Sequence, residues 1–236
     1  MIGPLAEPLS PRRSLSLLVV FLLSVSSPSF PSDIPNAVIV LETPPGTPGS
    51  DPAAALPRFV LLKDGQVFVG GTSHFQAARL EKGDVQALRR RADAARKAAG
   101  RNRMITFAGE DQPPIRLRLP EDGPTEIAIT GDPALAPANL QPLAGFVRDL
   151  LAYDNPGLAP YHPASYAVRA RAGAARPGGC RRWDFPWPIE QAVDSPRILS
   201  ASEGASWPTG ALPASVCAGQ KRYLVTLQPL LPGEQP

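Results

Sequence analysis

The feature that most constrains the fold is a pair of β-rich runs on either side of Asp64-Gly65. Residues 58–63 read RFVLLK and residues 66–71 read QVFVGG. An Asp-Gly pair tolerates the positive φ angles of a tight turn between antiparallel strands. The pattern predicts a β-hairpin over residues 58–71, extended by a third strand at about residues 75–80.

A helix is predicted next, from about Lys82 to Ala99. Asp84 lies near its positive end, and Gly100 is placed to end it. The apolar positions fall three and four apart and therefore line one face: Val85, Leu88, Ala92, Ala95 and Ala99. Because this face is mostly alanine, the helix is expected to approach a sheet closely.

The rest of the chain alternates between further strand patterns and one more helix. In residues 114–119, Leu117 and its apolar neighbours face one way and Arg116 and Arg118 the other, which is typical of a sheet with one wet face. We predict an α+β fold, a mostly antiparallel sheet with about two helices packed on one face. The predicted segments are strands at about 103–108, 114–119, 125–130, 165–172, 183–188 and 222–228, and a helix at about 138–153.

The N-terminus has the three regions of a secretory signal peptide. Arg12 and Arg13 precede an uncharged apolar run at residues 15–25, and small residues follow at 24–29. The run is shorter than the roughly 20 residues that a membrane-spanning helix needs. We predict a signal peptide over residues 1–27, a secreted or periplasmic protein, and no stable transmembrane helix after processing. An uncleaved anchor or a buried core helix is the alternative interpretation.

Residues 28–57 are rich in proline, glycine, serine and threonine. Such a composition buries little apolar surface, and it predicts a Pro-rich disordered or extended linker. The short run 37–41 interrupts this stretch as a candidate edge strand. Residues 58–236 are then expected to form a single α+β domain.

The chain contains two cysteines, Cys180 and Cys217. A sparse, even number of cysteines in an exported protein predicts one disulfide, which would close a loop of about 38 residues and stabilise the fold by roughly 4 kcal/mol. Two buried free thiols are the alternative.

The charge balance does not indicate a nucleic-acid surface. Twenty-four basic and 21 acidic residues leave a net charge of +3. The densest basic run, residues 89–91, lies within the predicted helix, which spreads it around the helix as a solvated face. We therefore predict no nucleic-acid partner.

No pattern in the sequence indicates a catalytic, cofactor or metal site. The two histidines, His74 and His162, lie 88 positions apart, and no G-x-S-x-G motif or phosphate-binding glycine loop accompanies them. Glu110-Asp111 and Glu121-Asp122 are adjacent carboxylates in turn sequences, which favours solvation rather than glycosidase chemistry. We predict no catalytic residue, cofactor or metal ligand.

The segment 180–188, CRRWDFPWP, concentrates aromatic residues. Trp183, Phe185 and Trp187 at a spacing of two would share one face of an extended strand. They form a candidate binding patch for a sugar, a peptide or a protein. The same geometry fits a core face, which we weigh more heavily, and Trp207 is a candidate fourth member.

Three segments together resemble a group of uncharacterised exported bacterial proteins, many of them actinobacterial lipoproteins. They are the apolar strand, Asp-Gly turn and apolar strand at 59–68, the Y-x-P segment at 161–168, and the closing strand with its P-L-L-P-x-E ending at 223–234. The resemblance covers about residues 58–234 and implies export and domain extent but no activity. This chain differs from the group in lacking a cysteine for lipidation after its apolar run.

Together these observations predict an exported, non-enzymatic binding or envelope-associated protein whose partner is an unknown protein or envelope ligand. The alternative hypothesis is an extracytoplasmic enzyme or enzyme inhibitor.

Overall fold

The computed structural model describes residues 34–43, 56–70, 74–109, 114–120, 125–173, 179–205, 207 and 214–235. Over these residues the chain has the predicted α+β fold, but its strands form two mostly antiparallel sheets rather than one. The predicted signal peptide lies outside the described residues. Within the described part of the chain, no helix is both long enough and apolar enough to cross a membrane.

The first sheet contains the strands β1 (Ala37–Thr43), β2 (Leu56–Leu62), β3 (Gln66–Gly70), β4 (Phe75–Arg79), β5 (Met104–Thr106), β6 (Ile115–Leu119), β7 (Thr125–Thr130) and β8 (Ala159–Pro160). The second contains β9 (Ser165–Ala172), β10 (Arg181–Arg182), β11 (Arg197–Ser200), β12 (Ala214–Ala218) and β13 (Lys221–Pro229). The helices are α1 (Lys82–Ala99), α2 (Gln141–Leu151), α3 (Gln191–Asp194) and α4 (Ala201–Ala205), with 3₁₀ turns at Pro133–Leu135 and Ala138–Leu140.

The predicted hairpin is confirmed as β2 and β3. Gly65 has a φ of +85°, and its N–H donates to the carbonyl oxygen of Leu62 at 3.1 Å. The carboxylate of Asp64 accepts from the N–H of Gln66 at 3.1 Å, which closes the turn. The predicted third strand is also confirmed, because β4 pairs with β3 along its whole length.

The first sheet has the order β5-β7-β6-β1-β2-β3-β4-β8, and this order corrects the prediction of an edge strand at 37–41. The parts of the predicted linker at residues 28–33 and 44–55 lie outside the described residues. Ala37–Thr43 lies inside the sheet, between β2 and β6, rather than at an edge. Its residues from Ala37 to Glu42 are all buried. A strand buried on both faces reads as a continuous apolar run, and the prolines on either side of this one drew the prediction toward a linker.

The two long helices cover one face of the first sheet. Helix α1 has the predicted bounds and buries the five predicted residues, while the second predicted helix begins as a 3₁₀ turn and becomes α2. Leu143, Phe146, Val147 and Leu150 of α2 are buried in a core that also contains Phe59. The tyrosine that follows α2, Tyr153, makes an edge-on ring contact with Phe59 at 4.9 Å.

The C-terminal segment covers part of the opposite face of the first sheet. Leu231 is buried there among side chains from β1, β2 and β3, including Val40, Val60 and Phe68. The ring of Tyr161 packs edge-on against Phe68 at 5.0 Å, and its hydroxyl donates to the carbonyl oxygen of Leu230 at 3.2 Å. This face is therefore not the wet face predicted from the arginines of β6.

The second sheet has the order β10-β12-β13-β9-β11. One of its faces forms a separate core with α3 and the segment 183–189, built on Val168, Ile189, Val216 and Val225. The predicted disulfide is confirmed: Cys180 and Cys217 are bonded, with their Cα atoms 5.5 Å apart. It joins the start of the aromatic segment to β12.

Candidate functional site

The aromatic segment was expected to be a strand, but its backbone turns after β10. None of residues 183–188 lies in a strand, and residues 185–187 form bends. The indole N–H of Trp183 donates to the carbonyl oxygen of Trp187 at 2.6 Å, which folds the segment back on itself. The predicted patch is nevertheless brought together, because Trp183, Phe185 and Trp187 are all half-buried and pack on the core of the second sheet.

The rings form a stacked ladder, which we call the aromatic ladder and define by Trp183, Phe185, Trp187 and Trp207. Phe185 is stacked on Trp187 at 5.7 Å and on Trp207 at 5.4 Å, with interplanar angles of 17° and 23°. Trp183 meets all three edge-on, with centroid distances between 4.7 and 5.4 Å. Trp207 is buried.

Two arginines cover the ends of the aromatic ladder. The guanidinium of Arg181 lies 4.9 Å from the centroid of Trp207, and that of Arg197 lies 5.4 Å from the centroid of Trp187. Each of these two indoles therefore contacts both Phe185 and a guanidinium. The rings of the ladder contact one another and pack on the core of the second sheet, which fits the core interpretation that the sequence favoured.

The strands of the second sheet are strongly basic. Their described residues contain no aspartate or glutamate, although acidic residues nearly equal basic ones in the whole chain. They contain seven basic residues: Arg169, Arg171, Arg181, Arg182, Arg197, Lys221 and Arg222.

The register of the strands divides these residues between two faces. Partners directly opposite in a sheet share a face, and successive residues of a strand alternate between faces. Tyr223 and Val225 lie on the core side, so Arg222 and Leu224 lie on the other. Arg171 pairs with Leu224, and Arg182 pairs with Cys217, which itself pairs with Arg222.

The side opposite the core is therefore an arginine face, which we define by Arg169, Arg171, Arg182 and Arg222. Arg171, Arg182 and Arg222 are exposed, and none of the three forms an ion pair with the residues that the structure describes. On the core side, in contrast, Lys221 lies 3.6 Å from the carboxylate of Glu190.

A second polar arrangement is buried between the C-terminal segment and the first sheet. Glu42 of β1 accepts from Arg118 of β6 at 2.5 Å, and both side chains are largely shielded from solvent. The carboxylate of Glu234 accepts from the N–H of Leu231 at 2.8 Å and interacts electrostatically with Glu42, Arg118 and Arg169.

Burial has the largest effect on the pKa values of these buried side chains. Desolvation raises the pKa of Glu42 above its usual value despite the opposing charge of Arg118, and it raises the pKa of Glu234 in the same way. Desolvation lowers the pKa of Arg169, against the opposing influence of Glu234. Two carboxylates and two guanidiniums therefore form a desolvated network that holds the C-terminal segment on the sheet.

A cavity of about 420 Å³ lies beside this network. It is lined by Ile34, Pro35, Asn36, Ala37, Val40, Lys63, Arg118, Pro120, Thr125 and Glu126. Arg118 belongs to both the cavity and the network, but Glu42 and Glu234 are engaged by Arg118 and by the N–H of Leu231 and do not line the cavity. Glu126 is the one carboxylate among its described lining residues.

The remaining sequence candidates do not converge on a site. His74 and His162 are both exposed, on either side of the pairing between β4 and β8. Glu110-Asp111 and Glu121-Asp122 lie outside the described residues. Among the residues that the structure describes, no group of three or more His, Cys, Asp or Glu side chains is placed to hold a metal ion. In the arginine run of α1, Arg91 pairs with Asp149 of α2.

Sequence reasoning missed the arginine face because its members lie far apart in the chain. The alternation of β9 places Arg169 and Arg171 on one side of that strand, and this signal was available. No local signal indicated that β10 and β13 would add Arg182 and Arg222 to the same side. The buried network was missed for the same reason, since 192 positions separate Glu42 from Glu234.

Comparison with known proteins gives no relative: no family model, no curated protein and no solved structure matches this chain.

Proposed function

We propose that this chain is an exported, non-enzymatic binding protein that contacts its ligand through the arginine face. One observation carries the proposal: three exposed arginines share a sheet face whose strands contain no acidic residue. Like charges placed within about 10 Å of one another at a surface repel, because this distance is close to the Debye length at physiological salt. An acidic ligand relieves that repulsion.

Export is supported by the N-terminal pattern and by the disulfide. Arg12 and Arg13 followed by a short apolar run are typical of a signal peptide. Disulfides persist mainly in oxidising compartments, and the bond between Cys180 and Cys217 fits such a compartment. A secreted or periplasmic location, with an envelope component as the ligand, is consistent with both.

The arginine face is a better contact surface than the aromatic ladder. A ligand that stacked on Trp187 or Trp207 would compete with Arg197 or Arg181, whose guanidiniums lie over these rings. The exposed guanidiniums of the arginine face are donors in a planar fork, which suits carboxylate, phosphate and sulfate groups. Ligand binding at the predicted patch of Trp183, Phe185 and Trp187 stays a prediction, and it concerns only the edges of these rings.

An extracytoplasmic enzyme is the second candidate, and one observation favours it. Buried carboxylates with a raised pKa beside a cavity are typical of catalytic sites. Glu42 and Glu234 meet this description, but one oxygen of each accepts from Arg118 or from a backbone N–H, and neither residue lines the cavity. The arrangement fits a role in docking the C-terminal segment better than a role in acid–base catalysis.

The test is a pull-down from the native envelope with the secreted form as bait. A triple variant, Arg171→Gln, Arg182→Gln and Arg222→Gln, removes three positive charges from the arginine face. A matched control, Arg90→Gln, Arg101→Gln and Arg103→Gln, removes three from exposed positions on and after α1. We expect the control to recover the same envelope component as the wild type and the triple variant to lose it. Equal recovery by all three proteins would refute the proposal.

A further inference from the structure

The arginines of the arginine face form a line rather than a patch. Arg182 and Arg222 lie on either side of Cys217, two strands apart, which corresponds to roughly 10 Å at the usual strand spacing. Arg222 and Arg171 are diagonal neighbours, about 7–8 Å apart. Arg169 follows Arg171 on the same side of β9 after a further step of about 7 Å. The line therefore crosses the sheet obliquely from β10 to β9.

The inner end of this line is half-buried and its outer part is exposed. Arg169, at the inner end, interacts electrostatically with Glu234 within the protein. The three remaining arginines are exposed. On the same side of β13, Arg222 is followed by Leu224, Thr226 and Gln228, all half-buried. The face thus offers charged donors in a row and, further along β13, two side chains that bond to hydroxyls.

We infer that this face binds a linear acidic polysaccharide with an acidic group on about every second sugar; this inference rests on the binding function proposed above. The Cβ atoms of neighbouring arginines along this line are about 7–10 Å apart. Two sugar rings in an extended chain span a distance of the same order as the steps.

The chemistry of the face fits the same ligand. Each arginine can form two parallel hydrogen bonds to one carboxylate or sulfate, and Thr226 and Gln228 provide partners for sugar hydroxyls. A single row of charges favours a linear ligand over an anionic lipid surface, which would be matched by a broad basic patch.

The inference is tested with defined probes in affinity electrophoresis, using the oxidised secreted form. Hyaluronate carries one carboxylate per disaccharide and is the acidic probe, and dextran is the neutral control. We expect hyaluronate but not dextran to retard the wild type. We expect the triple variant at Arg171, Arg182 and Arg222 to bind hyaluronate more weakly, on the order of tenfold, from the loss of three exposed charge contacts. The control variant at Arg90, Arg101 and Arg103 should be retarded like the wild type.

Further arms separate this inference from the proposed function. Equal retardation by poly-glutamate would overturn the polysaccharide in favour of an acidic peptide. Sedimentation with phosphatidylglycerol vesicles, without retardation by hyaluronate, would overturn it in favour of a membrane surface. If no probe binds while the envelope pull-down still depends on the three arginines, the ligand class is wrong and the proposed function stands. If the pull-down is also unaffected by the triple variant, both are wrong.

Discussion

Removal of the disulfide is the perturbation for which the structure best determines the expected loss of stability. The bond between Cys180 and Cys217 joins residues 37 positions apart. The enclosed segment carries the aromatic ladder, α3, β11 and α4, which form one side of the second core. Replacing both cysteines by alanine removes the cross-link that closes this segment into a loop in the unfolded chain. Neither cysteine belongs to the aromatic ladder.

The expected cost follows from the length of the closed loop. In the chain-entropy relation, a loop of about 38 residues corresponds to about 4 kcal/mol of stabilisation at 25 °C. For a domain of this size, each kcal/mol shifts the melting temperature by roughly 2–4 °C, so the double variant should melt roughly 8–16 °C lower.

The assay is thermal unfolding followed by circular dichroism, with and without dithiothreitol. Reduced wild type should melt at the temperature of the Cys180→Ala, Cys217→Ala variant, and the variant should not respond to the reductant. The single variant Cys180→Ser should be destabilised similarly under oxidising conditions. If oxidised and reduced wild type melt at the same temperature, the bond does not constrain the unfolded chain and the reasoning is refuted.

Further predictions concern one tight contact and the buried carboxylates. A Cβ added at Gly204 would clash with the ring of Tyr166, so Gly204→Ala should lower the stability measured in urea by about 1–3 kcal/mol. Gly83→Ala, where the added Cβ meets nothing within 4 Å, is the matched control and should be neutral or stabilising. A carboxyl whose folded pKa is raised binds its proton more tightly in the folded protein. The stability contributed by Glu42 and Glu234 is therefore full below their unfolded pKa and lost as pH rises through the folded pKa. The measurement is the melting temperature as a function of pH. We expect the double variant Glu42→Gln, Glu234→Gln to lose less stability than the wild type as the pH rises. An unchanged dependence of melting temperature on pH would contradict the burial argument.

The sequence alone determined the elements whose signals are local. The hairpin at Asp64-Gly65 depends on two residues that favour a positive φ, and α1 depends on apolar positions within 18 consecutive residues. The same holds for β9, whose predicted bounds are confirmed. The disulfide could be predicted from the two cysteines and an inferred oxidising compartment, because two cysteines allow a single pairing.

The tertiary structure alone decided which strands are neighbours and which faces are covered. The prolines around Ala37–Thr43 indicated a linker, yet pairing with β2 and β6 makes this segment an inner strand. The spacing of Trp183, Phe185 and Trp187 indicated a strand, yet the backbone bends at residues 185–187, and Trp183 and Phe185 contact the distant Trp207.

The arginine face shows the physical reason most clearly. Alternation within a strand determines which of its own residues share a side, so Arg169 and Arg171 could be grouped from the sequence. Which other strands lie alongside, and in which register, depends on contacts between residues many positions apart, whose free energy no local pattern encodes. The chain therefore specified its basic residues strand by strand, and only the folding of β10, β13 and β9 into one sheet aligned them on a common face.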